Sequence, residues 1–274
     1  MKRLFVLSTV MFAMLVSTAT AIAQQGQRVN YRATTYYKVA PEKEAAMLEQ
    51  ARTTGRKIIQ EDISAGLPIV SYSVLRVMYQ GTPAMEYNYA VTVLFDGAPP
   101  ELNTAMRDQV YRKATGMSFQ DYLEKQINLR SNVGNVLYRV EATVPGSKVA
   151  EGNYIAIVRW KITPQRGADY GNFVQSMLLP FNTETVKVGR SIGWTAARVV
   201  SPGGADAPFD AVTSTTYKDL AAALPTTTPN ADQAQMQFAK VFPGQSYLAF
   251  VDQGRALRRA VRTELARVMV EVDR

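Results

Sequence analysis

The sequence repeats itself at an offset of about 128 residues, and this repeat restricts the fold more than any other feature of the chain. Residues 116–140 and 244–268 share eight identities in 25 positions, where unrelated stretches would share roughly one or two. Near the front, YKVAP at 37–41 matches WKITP at 160–164 at an offset of 123. Because the offset changes between elements, where loops absorb differences in length, an internal duplication explains the repeat best.

Each copy has the same predicted order of elements: strand, helix, strand, strand, helices and strand. Alternating residues predict the strands, and apolar residues at helical spacing predict a long helix from Pro41 to Gly66. Ser118, with Asp121 three residues later, is typical of a helix N-cap. The predicted strands are 31–39, 71–78, 87–95 and 136–144, then 154–162, 194–200, 210–217 and 265–272. The predicted helices of the second copy are 164–179, which Pro180 is expected to end, 229–241 and 246–260.

This order is that of a ferredoxin-like module, one antiparallel sheet with helices on one face. Several strands are apolar on both faces, as Ile155, Ala156 and Ile157 illustrate, so the second face must be covered as well. We therefore predict an α+β fold in which two ferredoxin-like modules in tandem pack their antiparallel sheets face to face as a pseudo-dimeric α/β barrel. The modules are expected at 31–144 and 153–274, with residues 145–152 as the linker.

Residues 1–23 have the pattern of a secretory signal peptide. Lys2 and Arg3 precede an apolar run, Ala21-Ile22-Ala23 resembles a cleavage site, and residues 24–30 would remain as an N-terminal tail. The alternative is an uncleaved membrane anchor, since the apolar run could just span a bilayer. We expect a periplasmic or secreted protein with no membrane span after cleavage, and no nucleic-acid partner despite the formal net charge of +8.

The chain contains no Cys and no His. This composition excludes disulfides, thiol catalysis, Ser-His-Asp triads and sites where His binds haem or zinc. Carboxylate-only metal sites remain open in principle, but Asp and Glu form no dense cluster along the sequence. We therefore predict no metal and no cofactor.

Two stretches, ISAGLPIVSYSVLRV at 63–77 and VKVGRSIGWTAARVV at 186–200, each combine a helix end at Gly with a strand that carries an aromatic residue. Together with the element order and the repeat, they resemble the dimeric α/β-barrel superfamily over about 31–144 and 153–274. That superfamily includes antibiotic-biosynthesis-monooxygenase-like, stress-responsive barrel, EthD-like and NIPSNAP-like domains, some of them enzymes. Its haem-using branches rely on a His ligand, which this chain lacks.

The second strand of each copy supplies the first candidate ligand-binding residues. Tyr72 and Arg76 share one face, and Trp194 and Arg198 share the matching face of the second copy. Because the opposite faces are aliphatic near their middle, these four side chains are expected to point to the interior between the sheets or its rim. There they could hold an anionic or aromatic ligand. Alternatively, the arginines form salt bridges across the module interface or lie exposed on an edge strand.

The first copy is rich in tyrosine where the second has smaller or less polar residues. This asymmetry favours a pocket supplied mainly by one module, although core packing with satisfied hydroxyls would explain it too. The candidate ligand-binding tyrosines are Tyr36, Tyr37, Tyr87 and Tyr89.

A third candidate is a basic stripe near the C-terminus. Arginines recur at i, i+3, i+4 and i+7, the spacing of one helical face. Such a face could contact an acidic partner, anionic lipid or phosphate, or it could simply be solvated. The candidate partner-binding residues are Arg255, Arg258, Arg259 and Arg262.

The sequence therefore predicts an exported protein that binds a small aromatic or anionic ligand between its two sheets, as a monomer or weak homo-oligomer. One alternative is a cofactor-independent oxygenase or isomerase that works through Tyr72, Arg76 and the tyrosines of the first copy. The other alternative is a protein-interaction module that uses the basic helix face.

Overall fold

A computed structural model of the protein describes residues 30–80, 87–101, 104–147, 149–204, 207–224 and 231–274. The predicted signal peptide and nearly all of the predicted tail lie outside these ranges. The strands are β1 Tyr31–Lys38, β2 Ile69–Gln80, β3 Tyr89–Phe95, β4 Ser131–Thr143, β5 Tyr154–Ile162, β6 Gly193–Ser201, β7 Ala211–Tyr217 and β8 Arg258–Asp273. The helices are α1 41–64, α2 Thr104–Thr115, α3 Phe119–Ile127, α4 167–187, α5 Leu220–Ala223, α6 Ala231–Val241 and α7 Tyr247–Leu257. No helix among the described residues is long and apolar enough to cross a membrane.

The strands form one closed antiparallel barrel in the order β1-β3-β2-β8-β5-β7-β6-β4. The first half of the chain contributes the run β4-β1-β3-β2, and the second half contributes β8-β5-β7-β6. Hydrogen-bonded pairs β2–β8 and β4–β6 join these runs at both edges. The predicted α+β barrel is therefore confirmed, and the two sheets are continuous with each other rather than only stacked.

The helices cover the outside of the barrel and bury most of the large apolar side chains. In the first half, Met47 and Ile59 of α1 pack against Tyr72 and Val74 of β2. In the second half, aromatic residues of α4 pack against β6 and against Leu257 at the end of α7. The main apolar core thus lies between the helices and the barrel wall, which leaves the barrel interior free for other residues.

The long helices α1 and α4 have the same internal construction. Each contains a five-residue π-helical turn, Ala51–Gly55 in α1 and Val174–Leu178 in α4. The α-helical segments Glu44–Gln50 and Arg56–Ser64 also correspond to Gly167–Phe173 and Leu179–Lys187 at the same offset of 123. The offset that the sequence repeat predicts therefore reappears in the backbone geometry.

Several predicted boundaries differ from the structure; β4, for example, begins at Ser131 rather than near residue 136. Pro180 does not end α4, because it occupies the first turn of the segment that follows the π-helical turn, where a missing N–H is tolerated. α7 ends at Leu257, and β8 begins at Arg258 rather than near residue 265. β8 is 16 residues long since its first part pairs with β5 and its last part pairs with β2.

Candidate functional site

The barrel encloses a cavity of about 380 Å³ that is lined by residues of all eight strands. Alternate residues of each strand point inward, as expected for a barrel wall. The interior carries polar and charged side chains at both ends, with an aliphatic belt between them. Asp273 lines the cavity and is also exposed, so the cavity reaches the surface at the end where β8 finishes.

A buried ion pair fills the opposite end of the barrel. Arg159 of β5 and Glu264 of β8 are each 2 % exposed, and Arg159 Nη2 lies 3.2 Å from Glu264 Oε2. Arg262 approaches the other oxygen of Glu264, with 2.6 Å between Nε and Oε1. A buried carboxylate between two guanidinium groups is compensated for its loss of hydration.

Three tyrosines of the first half complete this buried network. Arg159 donates to the hydroxyl oxygens of Tyr87 at 2.7 Å and Tyr36 at 3.0 Å. Tyr87 in turn donates to Glu264 Oε1 at 2.5 Å, and the hydroxyls of Tyr36 and Tyr138 lie 2.9 Å apart. Burial raises the pKa of Tyr87 and of Tyr138 above the usual range for phenols, so both hydroxyls keep their protons as hydrogen-bond donors.

The network depends on both halves of the chain. The tyrosines come from β1, β4 and the residues just before β3, whereas the arginines and Glu264 come from β5 and β8. At the sequence offsets that relate the halves, Arg159 corresponds to Tyr36 and Phe209 corresponds to Tyr87. The barrel interior is therefore chemically asymmetric although its wall is built from two similar halves.

The open end of the cavity is polar. The strand registers place Arg32, Leu94, Ser71 and Asp273 on one row across β1, β3, β2 and β8. The neighbouring row consists of Thr34, Thr92, Ser73 and Glu271, and both rows line the cavity. A guanidinium on β1 and two carboxyl groups on β8 thus stand on separate walls of the same opening.

Glu271 has an altered acidity in this setting. Its pKa is raised from 4.5 to about 8, mainly by burial; a hydrogen bond with Ser73 partly opposes the shift, and the nearby carboxyl group of Asp273 adds to it. A carboxyl group with a pKa near neutrality can gain or lose a proton under physiological conditions, as a general acid or base must. Within the described ranges no three Asp or Glu residues converge in a way that would hold a metal ion.

Two of the four predicted tyrosines line the cavity. Tyr36 and Tyr87 face the interior and belong to the buried network. Tyr89 is fully buried in the apolar layer beneath α1, and Tyr37 packs against the same layer with the Arg130 guanidinium 4.0 Å from its ring centre. For Tyr37 and Tyr89, a ligand-binding role is a prediction without a cavity position to support it.

Of the four residues predicted to point inward, Trp194 lines the cavity, whereas Tyr72, Arg76 and Arg198 do not. Tyr72 and Trp194 belong to the apolar layers between the barrel and the helices, although Trp194 also touches the cavity lining. Arg76 pairs with Glu44 of α1 at 2.9 Å. The aliphatic face with Leu75 and Val77 points inward instead. Alternation defines two faces, but both faces of β2 are sufficiently apolar to be buried.

Arg198 forms the salt bridge that was the alternative interpretation. Its Nε lies 2.8 Å from Glu141 Oε1, across the β4–β6 junction between the two halves. It also donates to the backbone carbonyl of Gly167 at the start of α4. This arginine therefore connects strands and helix on the outside of the barrel.

The predicted basic helix face does not exist in the structure. Only Arg255 lies on α7, whereas Arg258, Arg259 and Arg262 belong to β8. Arg258 covers the Trp160 ring at 3.8 Å, and Arg262 pairs with buried Glu264. Spacing alone could not distinguish a helical stripe from a helix end followed by a strand.

Five arginine, aspartate and glutamate residues that line the interior were not predicted: Arg32, Arg159, Glu264, Glu271 and Asp273. Arg159 is a weak signal in the sequence, since it interrupts the apolar strand YIAIVRWKI. Such a charge is expected to be paired when it is buried. The other four lie in strands of mixed polarity, where the sequence offers no comparable contrast.

The fold and the cavity define an α+β protein with a closed, eight-stranded antiparallel barrel and charged groups in its interior. No protein-family model matches the sequence, and no curated protein matches it. Three solved structures are similar to this chain over 90 % of its length. Two are described as a "putative monooxygenase": one from Fusobacterium nucleatum, with 8 % identity, a TM-score of 0.54 and 95 % of that chain covered, and one from Lactobacillus acidophilus, with 8 % identity, a TM-score of 0.52 and 97 % covered. The third is an "anthrone oxidase-like protein" with 12 % identity, a TM-score of 0.53 and 94 % of that chain covered. These identities show a shared fold alone.

Proposed function

We propose that this protein binds a small organic molecule in the cavity of its barrel. The observation that carries the proposal is the cavity itself, about 380 Å³ with charged groups on its walls. Volumes of this order are typical of small-molecule sites, which are mostly apolar with a few fixed polar groups. The aliphatic belt of Leu75, Ile155 and Ala266 would receive the apolar body of such a ligand.

The proposal is tested by titrating the protein with aromatic probes in a calorimeter. Benzoate and 1-naphthoate, with their neutral amides, are small enough to enter the cavity. At least one probe should bind with 1:1 stoichiometry. Thr92→Phe, which places a ring in the cavity, should abolish that binding, while Thr183→Phe on the exposed face of α4 should leave it unchanged. Failure of every probe to bind at millimolar concentration would overturn the proposal.

A second candidate function is proton abstraction from a bound carbon acid, as in a cofactor-independent oxygenase. The observation that favours it is Glu271, a cavity carboxyl with a pKa of about 8. Its carboxylate would take a proton from the substrate, and molecular oxygen would then react with the resulting carbanion. Because one structural neighbour is described as anthrone oxidase-like, anthrone in air is a suitable test substrate: anthrone and oxygen give anthraquinone and water.

This candidate predicts anthraquinone formation that Glu271→Gln abolishes. The variant keeps the size of the side chain but removes the base. Glu49→Gln, on the exposed side of α1, is the matched control. Turnover that survives Glu271→Gln would exclude Glu271 as the base.

We also propose that the protein is exported, with 1–23 as the signal peptide, and that its barrel arose by tandem duplication. The matching π-helical turns at an offset of 123 support the duplication. The halves would be 31–144 and 153–274, joined by 145–152. Since they already close a barrel within one chain, a monomer or weak homo-oligomer is the expected state.

A further inference from the structure

We propose that Arg32 is the anchor for a carboxylate group of the ligand, so that the cavity selects small monocarboxylic acids. This inference rests on the proposed ligand-binding function and adds the chemical class of the ligand. It concerns the open end of the cavity, where Arg32 faces inward from β1.

Arg32 differs from the other interior arginines in its lack of a carboxylate partner. Arg159 and Arg262 both contact Glu264. Among the residues that the structure describes, none places a carboxylate within salt-bridge distance of Arg32, and its buried Nε has no hydrogen-bond partner. Its guanidinium lies 5.0 Å from the ring centre of Tyr138. The Arg32 guanidinium is thus held in place on the cavity wall without a carboxylate to balance its charge.

The surroundings of Arg32 favour the binding of an anion. Burial lowers the pKa of this arginine; Tyr138 and Tyr36 partly oppose the shift, and the positive charge of Arg159 adds to it. Loss of hydration and a nearby like charge both disfavour a guanidinium without an anionic partner. A carboxylate would relieve them, because it accepts two parallel hydrogen bonds from the guanidinium fork in a planar arrangement.

The acidic wall of the cavity restricts where that carboxylate can go. Asp273 shares the strand-register row of Arg32 but lies three strands away on β8, and Glu271 lies on the next row. The carboxylate of Asp273 repels an anion from the β8 side and favours the β1 side, whereas Glu271, with its raised pKa, is largely uncharged near neutral pH. A doubly charged phosphate monoester is disfavoured too, since one unpaired guanidinium cannot balance two negative charges in a cavity that also contains the Asp273 carboxylate. The remaining apolar body would lie against Leu75 and Ile155 deeper in the barrel.

The test compares 1-naphthoate with 1-naphthamide, which have the same shape and differ in charge. The wild-type protein should bind the acid more tightly than the amide by roughly tenfold or more, the value of a charge-assisted pair. Arg32→Met should remove this preference while affinity for the amide stays within about twofold. Arg32→Lys should retain part of the preference, because it keeps the charge but loses the fork. Arg255→Met, an exposed arginine on α7, is the matched control.

Each outcome distinguishes the inference from the function on which it rests. If the amide binds as tightly as the acid, or if Arg32→Met leaves the preference for the acid intact, Arg32 is not the anchor although the cavity binds ligands. If neither probe binds, the ligand-binding function itself fails. Should Arg32→Met not fold, Arg32→Lys provides the test. If Arg32→Lys binds 1-naphthoate as tightly as the wild type does, with the same preference over 1-naphthamide, the guanidinium fork is not the anchor.

Discussion

Glu271 is an inner-wall residue whose ionisation links the cavity to the stability of the fold. Ser73 and Asp273 are its cavity neighbours, and burial is the main reason that its pKa rises to about 8. In the unfolded chain the same group would titrate near 4.5. Between these values the folded protein binds a proton that the unfolded chain has lost. The contribution of Glu271 to stability is therefore fully present below pH 4.5 and disappears as the pH rises to about 8.

We expect Glu271→Gln to gain stability relative to the wild type as the pH rises from 5 to 8, because glutamine cannot ionise. Urea unfolding of both proteins at pH 5, 6, 7 and 8 would measure this difference. Glu49→Gln should follow the wild-type curve at every pH. A constant difference between Glu271→Gln and wild type across this range would mean that the carboxyl group titrates normally in the folded state.

At the scale of elements, the two halves start equivalent helices with the same device. The Ser118 side chain accepts a hydrogen bond from the backbone N–H of Asp121 at the start of α3, and Ser246 accepts one from Ala249 at the start of α7. Each is preceded by a glycine with positive φ two residues earlier, Gly116 and Gly244. The local chain direction into these helices is thus fixed by the sequence pattern Gly-x-Ser.

Replacing either cap should destabilise the protein to a similar extent. Ser118→Ala and Ser246→Ala each remove an acceptor for an otherwise unpaired helix N–H, at a cost of about 1 kcal/mol. Ser64→Ala, an exposed site within α1, should change stability by no more than a few tenths of a kcal/mol. The measurement is the free energy of unfolding in urea. Equal values for cap and control variants would show that the capping hydrogen bonds contribute nothing.

For the whole molecule, closure of the barrel couples the two halves. The β2–β8 and β4–β6 pairs cross between them, and the Arg159 network joins tyrosines of one half to charges of the other. Separation of the halves would expose strand edges on both and leave buried charges without partners. The barrel should therefore unfold as a single cooperative unit.

Both tryptophans, Trp160 and Trp194, lie in the second half, which makes this cooperativity measurable. Met47→Ala creates a cavity beneath α1 in the first half and should cost about 2–5 kcal/mol. Tryptophan fluorescence and far-ultraviolet circular dichroism should report the same lowered urea midpoint. If the fluorescence transition stayed at its wild-type position, the two halves would unfold independently.

Sequence patterns were sufficient for the α+β class and the antiparallel barrel, because element order and strand alternation are local properties. They failed where two local solutions were equally good. Either face of β2 could have been the inner one, and Arg258 could have continued α7 or begun β8. The actual choice depends on neighbouring strands. Because β8 pairs with β5 along its first part and with β2 along its last part, Arg258 becomes the first residue of a barrel strand.

By itself, the sequence determined the order of elements, the similarity of the two halves and the absence of Cys and His chemistry. Only the tertiary structure decided which faces line the cavity and which distant charges meet there. Arg159 and Glu264 are 105 positions apart, and Arg32 and Asp273 share a row although they are close to opposite ends of the described chain. The physical reason is that alternation is encoded residue by residue, whereas register and inward direction are set by the closure of eight strands at once.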